Sequence, residues 1–236
     1  MTDHSLRVIV VTGASQGIGE GLVVAFRREG YAVVANSRNI APSDDPLIAA
    51  VPGDISKPGV GQQIIDTALE RFGGVDTLVN NAGIFLAKPF TAYTDEDYDA
   101  ITGVNLHGFF QVTRAAIAAM GDDGGHIVNI STSLVDQANS QVPSALASLT
   151  KGGLNAATKA LAVEYATRRI RVNAVSLGVI RTPMHDPASF DALLGLNPTR
   201  TIGDIDDVVR ALLYLDNAPH VTGDIIHVDG GQSAGH

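Results

Sequence analysis

The chain has 236 residues, 45% hydrophobic and 17% charged, which is enough for one α/β domain with a large core and no need of covalent staples. Its net charge of −9 argues against a nucleic-acid footprint, which is basic, and against docking on anionic membranes. No cysteine is present, so disulfides and thiolate metal sites are excluded, and the seven histidines show no metal-ligand spacing.

Residues 6–11 are an apolar run that reads as a strand. It leads into TGASQGIG at 12–19, after which Ile18, Leu22, Ala25 and Phe26 recur at helical spacing until Gly30. Gly13, Gly17 and Gly19 let the backbone at this turn approach a dinucleotide's pyrophosphate. The helix N-terminus offers free N–H groups to the same anion, and Ser15, Gln16 and Ile18 belong to the same loop. Residues 31–35 form a second strand that closes in Asn36, Ser37 and Arg38. An NAD(H) site usually places an acid here for the ribose 2′-hydroxyl, and none stands at these positions; the next acid is Asp44. Ser37 and Arg38 instead suit a 2′-phosphate, so NADP(H) is expected over NAD(H).

Val60, Ile64, Ala68, Leu69 and Phe72 trace a helix closed by Gly73 and Gly74, and residues 75–80 form a strand. Thr94 opens another helix, with Asp95, Glu96 and Asp97 placed to favour its dipole. Then come a strand at 126–130, a long helix at 144–166, a strand at 170–175, a helix at 204–215 and a last strand at 224–228. This alternation predicts a parallel sheet with helices on both faces. No repeat or linker interrupts it, so residues 1–236 are expected to form a single domain. The longest irregular stretch is 181–203, and residues 184–203 are expected to cover a substrate. His185, Phe190, Leu193, Leu194 and Leu196 would make that lid partly apolar. No apolar run has transmembrane length and no secretory leader is visible, so a cytoplasmic location is expected.

The motifs then accumulate in a definite order. After TGASQGIG come Asp54 in GDIS, NNAG at 80–83, Asn105 in VNLHG and NIS at 129–131. Lys151 in LTKGGL, RVNAVS with GVIRTPM across 171–184, and VTGDIIHVDGG from Val221 complete the set. Together they resemble the short-chain dehydrogenase/reductase family along nearly the whole chain. The resemblance implies a Rossmann-type, doubly wound parallel sheet of about seven strands, with helices on both faces in a three-layer sandwich. It implies hydride transfer between nicotinamide and a small carbonyl or alcohol substrate, and a homotetramer or homodimer. It places Asp54 and Ile55 at the adenine and Asn81, Ala82 and Gly83 along the cofactor. Lys151 falls at the nicotinamide ribose, and Gly178, Ile180 and Thr182 at the nicotinamide carboxamide. Asn105 would bend its helix and anchor a proton-relay water.

One expected residue is not there. The family's proton donor is a tyrosine four residues before the lysine, on the same helix face, and that position holds Ala147. No tyrosine lies between Tyr98 and Tyr165, and Tyr165 falls roughly 20 Å further along the helix axis. The family's active serine matches Thr132, with Ser131 and Ser133 beside it, and a threonine hydroxyl can still donate. Leu177 replaces the usual proline before Gly178. Three readings remain open. The chain is an oxidoreductase with a substitute donor: Thr132, Ser133, Ser148, a water held by Lys151 and Asn105, or a group on the substrate. It is an idle NADP(H)-binding sensor or partner subunit. It is a structural member of a mixed oligomer. The retained Lys151 and Asn105 and the intact glycine loop favour the first two.

Overall fold

The computed structural model describes residues 6–185 and 190–235. In chain order it contains β1 (Val8–Thr12), α1 (Gly17–Arg28), β2 (Ala32–Ser37), β3 (Ile48–Pro52), α2 (Val60–Phe72), β4 (Thr77–Asn80) and α3 (Asp95–Thr102). These are followed by α4 (Phe109–Ala119), β5 (Gly125–Thr132), α5 (Ala145–Glu164), β6 (Ile170–Leu177), α6 (Phe190–Leu193), α7 (Ile205–Asp216) and β7 (Ile225–Val228). The strands make one seven-stranded sheet in the order β3-β2-β1-β4-β5-β6-β7, every pair parallel. This is the doubly wound Rossmann-type α/β architecture. The winding reverses between β1 and β4, so a crevice opens beyond their carboxyl ends.

Alternation along each strand divides the core in two. Val8, Val10, Val34, Leu78, Ile127 and Val172 point to one face and pack under α2, α4 and the end of α5, against Ile64, Ile65, Val112, Ala116 and Ala162. Ile9, Val11, Val33, Val79, Val128 and Val175 point to the other, against Leu22 and Phe26 of α1 and Val208, Leu212 and Leu215 of α7. Phe26 and Tyr31 meet edge to face with ring centroids 5.1 Å apart.

Two elements depart from the sequence pattern. β3 is announced by no long apolar run, and it survives as an edge strand, with Ile48 beside Val33 and Pro52 beside Ser37. A proline at the end of an edge strand costs no ladder bond that a central strand would need. The helix begun at Asp95 does not end cleanly but widens into a π-helical turn, Gly103–Gly108, before α4. Thr94 and Asp97, and Asp204 and Asp207, each form a reciprocal capping box, so these acids are structural. Within the expected lid, Phe190–Leu193 is a short helix and Leu194–Leu196 a 3₁₀ turn. Residues 186–189 of the expected lid lie outside the described residues.

Candidate active site

The crevice holds a cleft of about 240 Å³. Gly13, Ser15, Gln16, Gly17 and Ile18 form its floor, and Ser37, Arg38, Asp54 and Ile55 one end. Asn81, Ala82, Gly83 and Thr182 form the other end. Gly13 and Gly17 sit at φ +68 and +59, a left-handed conformation that glycine adopts without strain. A Cβ on Gly13 would stand 2.9 Å from the Ala82 Cα, so this loop lies against the β4 exit with no room for a side chain. Gly19 does not line the cleft. Its Cβ would fall 2.2 Å from the Gly13 carbonyl oxygen, so its smallness lets α1 pack onto the loop. Gln16 caps α1 with no side-chain hydrogen bond, and the helix N-terminus stays available to an anion. These features fit the diphosphate of a dinucleotide.

Asparagine amides hold the cleft in shape. Asn81 Nδ2 donates to the carbonyls of Thr12 and Gly13 at 2.9 and 3.1 Å, tying β4 to the glycine loop. Asn36 Nδ2 donates to the carbonyls of Val51 and Gly53, fixing the edge strand beside Asp54. Ser37 donates its hydroxyl hydrogen to Ser15 at 2.8 Å, and Arg38 is exposed on the rim. Partial burial opposes ionisation of Asp54, but the Ser56 hydroxyl and amide that it accepts from, with nearby Lys57 and Arg38, hold its carboxyl below the usual range. Asp54 is therefore a turn residue and a wall of the cleft at once.

A second cavity of about 500 Å³ adjoins the first, lined mainly by apolar side chains. Lys151, Ala147, Thr132, Ser133, Gly178, Ile180 and Thr182 all reach it, so the structure gathers these separated positions in one place. Its apolar wall includes Ile84, Phe85, Ile130, Leu134, Val142 and Leu177. Lys151 Nζ donates to the Ile130 carbonyl at 2.7 Å, and burial pushes its amine down to about 8. Ser131 and Ser133 are buried, and their hydroxyls have no hydrogen-bond partner among the described residues. The Thr132 hydroxyl oxygen accepts from the Leu134 amide at 3.4 Å, and Ser148 donates to the Leu134 carbonyl at 3.2 Å.

The Asn105 side chain is committed to the backbone beside the site. It sits in the π-helical turn, as a helix-bending residue should, but lines neither cavity. Its Oδ1 accepts from the Ile84 amide at 2.8 Å, and its Nδ2 donates to the Ile84 carbonyl and the Thr150 hydroxyl. It clamps the segment beside Gly83. His107 is exposed and lines neither cavity. Val104 in the cleft and Gln232 in the cavity were not legible as site residues. Gln232 arrives on the turn after β7, and only folding places that turn near the end of β5.

The fold and this paired cleft and cavity define a nucleotide-dependent oxidoreductase of the Rossmann type. Comparison with known proteins agrees. A family model described as "Enoyl-(Acyl carrier protein) reductase" matches residues 13–233. The 3beta-hydroxysteroid dehydrogenase 1 of Eggerthella lenta is 36% identical over 246 residues, covering 96% of this chain and 94% of that protein. A blue fluorescent protein from a metagenomic library, solved in complex with NADPH, is 30% identical, with a TM-score of 0.86 over 96% of this chain and 97% of that one. A 3-ketoacyl-(acyl-carrier-protein) reductase from Brucella melitensis, complexed with NADH, is 32% identical, with a TM-score of 0.86 over 96% and 98% of the two chains. The chain belongs to the short-chain dehydrogenase/reductase family of oxidoreductases. Among the described residues, no helix is long and apolar enough to cross a membrane.

Proposed function

We propose that this chain is an NADP(H)-dependent oxidoreductase acting on a small carbonyl or alcohol, with a proton donor other than tyrosine. The observation that carries the reading is the junction between the two cavities. Both are lined by Ile18, Asn81, Gly83, Ile84, Thr182 and Met184, so a ligand in the cleft and one in the cavity would meet there. Gly13, Ser15, Gln16, Gly17, Ile18 and the α1 N-terminus would hold the phosphates, with Gly19 supporting them. Ser37, Arg38, Asp54 and Ile55 would hold the adenosine end. Asn81, Ala82, Gly83, Lys151, Gly178, Ile180 and Thr182 would hold the nicotinamide half. When bound, the reduced nicotinamide supplies a hydride.

The preference for NADP(H) is supported by Arg38 and Ser37 on the rim, where the end of β2 offers no carboxylate. The relatives do not decide this point, since one binds NADPH and another NADH. Ala147 takes the place of the family's tyrosine and has no proton to give. Of the substitutes, Ser148 already donates to a backbone carbonyl and Asn105 is committed to Ile84 and Thr150. The Ser133 hydroxyl has no partner among the described residues and is the best placed to orient a carbonyl oxygen and pass it a proton. Thr132 keeps its own hydroxyl proton to donate.

The reading extends to the rest of the chain. It works as a single domain with residues 184–203 as a lid, supported by His185, Leu193 and Leu196 on the cavity wall. It assembles as a homo-oligomer, supported by Phe110 and Leu149, exposed at 52% and 61% on α4 and α5. Its acidic, cysteine-free composition suits the cytoplasm.

Ala147 specifically favours one second reading, an idle NADP(H)-binding sensor. Titration with NADPH and NADH, followed by turnover assays on a panel of aldehydes and ketones, separates the two. Consumption of NADPH supports the oxidoreductase. Tight binding with turnover no faster than buffer supports the sensor. No affinity for either nucleotide at millimolar concentration overturns both.

A further inference from the structure

The Lys151 amine on the cavity wall is open to chemistry other than proton relay. We propose that Lys151 is a covalent capture site for apolar aldehydes, its amine attacking the carbonyl carbon of a molecule held in the apolar cavity and forming an imine. The step balances. The Nζ lone pair makes the C–N bond, and protons pass from nitrogen to the carbonyl oxygen. That oxygen leaves as water when the C=N bond forms. No oxidant or reductant takes part. The capture needs no nucleotide, so it goes beyond the proposed function and does not depend on it.

Geometry carries the inference. Among the described residues, Nζ makes a single hydrogen bond, to the Ile130 carbonyl at 2.7 Å. A neutral amine has two protons, so this bond uses one and leaves the lone pair free. No described carboxylate lies within ion-pairing distance of Lys151, whereas Lys88 is paired with Asp97. A carboxylate partner would hold the ammonium form, which has no lone pair to attack with. The approach is open from the cavity. Ala147, one turn earlier on α5, ends at a methyl group on the cavity wall. Gly83 packs close on another side, where even a Cβ would come within 3.1 Å of Nζ, so the amine is reached from the cavity and not past Gly83.

The surroundings favour the same chemistry. Ile84, Phe85, Ile130, Leu134, Val142 and Leu177 suit an apolar aldehyde and disfavour the water that would reverse imine formation. The Ser131 and Ser133 hydroxyls, without a partner among the described residues, can bond the oxygen as it departs. His185 is the only other titratable side chain among the described lining residues, and burial shifts it toward its neutral form, so it adds no charge there. With the amine at about 8, roughly half of it is free base near that pH, against well under 1% for an ordinary surface lysine.

The test uses the purified chain, freed of nucleotide, with cinnamaldehyde and sodium cyanoborohydride to trap any imine, and peptide mass spectrometry to locate the adduct. Lys151 is expected to be modified at least tenfold faster than Lys57, Lys88 or Lys159, with a rate midpoint near pH 8. Lys151→Arg should remove that fast adduct and leave slow labelling elsewhere. Labelling of Lys151 no faster than the other lysines, or still rising steeply above about pH 10 with no midpoint below it, overturns the proposal. An NADPH titration on the same preparation keeps the two readings apart. A chain that binds NADPH yet gives no fast adduct refutes only the capture site. One that gives the adduct yet binds no nucleotide refutes only the proposed function.

Discussion

Arg38 is the sharpest test of cofactor choice. It follows β2 on the exposed rim of the glycine-lined cleft, close enough to Asp54 to help hold that carboxyl ionised. A charge-assisted hydrogen bond to a phosphate contributes about 1.5–3 kcal/mol. Arg38 is solvent-exposed, so screening puts its contact near the lower end, about 1.5–2 kcal/mol. At 1.4 kcal/mol per tenfold, Arg38→Ala should weaken NADPH binding by about 10–30-fold. NADH lacks the 2′-phosphate, so its affinity should stay within about twofold, and the NADPH:NADH ratio should fall by nearly the full factor. Arg38→Asp should move the ratio further, because a carboxylate repels the phosphate and accepts from a free ribose hydroxyl. The assay is a titration followed by the nucleotides' own fluorescence at two salt concentrations. Salt should weaken NADPH binding to the parent chain more than NADH binding, because both carry the diphosphate and only NADPH adds the 2′-phosphate. A ratio unchanged in Arg38→Ala would refute the argument, and the 2′ position would then be read by some other group.

Other expectations concern catalysis and stability. Ala147→Tyr should raise carbonyl reduction by at least tenfold, within the range general acid catalysis supplies, and no gain would show that the cavity no longer accepts a tyrosine-donated proton. Asn80→Ala should destabilise the fold by about 2–3 kcal/mol in urea melts, because it strands the buried Asn129 Oδ1 and breaks a chain running on to Thr158. Loss below about 0.5 kcal/mol would mean that water replaces the amide. Burial lowers the pKa of His126 from 6.5, and nearby Asp216 only partly opposes it. The unfolded chain then takes up a proton below about 6.5 that the folded chain refuses, so stability is full above that pH and falls as the solution is acidified. The slope is up to about 1.4 kcal/mol per pH unit, and His126→Gln should flatten it in thermal melts. Asp216, whose carboxyl is held below 3.8 despite burial, loses its contribution only at lower pH, which separates the two titrations.

Much was local and therefore readable along the chain. The continuous apolar run of Val8–Thr12 states a strand buried on both faces, and the 3.6-residue repeat after Gly17 states which side of α1 is buried, because both patterns are properties of neighbouring residues. Capping at Thr94 and Asp204 is local in the same way. The glycine loop was legible because close backbone approach and left-handed φ leave few alternatives to glycine. The absence of a tyrosine near Lys151 needed no structure at all. Tertiary packing decided the rest. β3 became a strand because β2 had a free edge to offer Ile48–Pro52, not because its own residues insist on it. The partners of the Asn105 side chain were set by packing, because Ile84, 21 residues earlier, presents both an amide and a carbonyl to it. Gln232 joined the wall by a contact between chain segments that sequence spacing cannot encode. The state of Lys151 is the clearest case. Its position in the chain marks a lysine on a helix, while the walls around its amine decide how readily it gives up a proton.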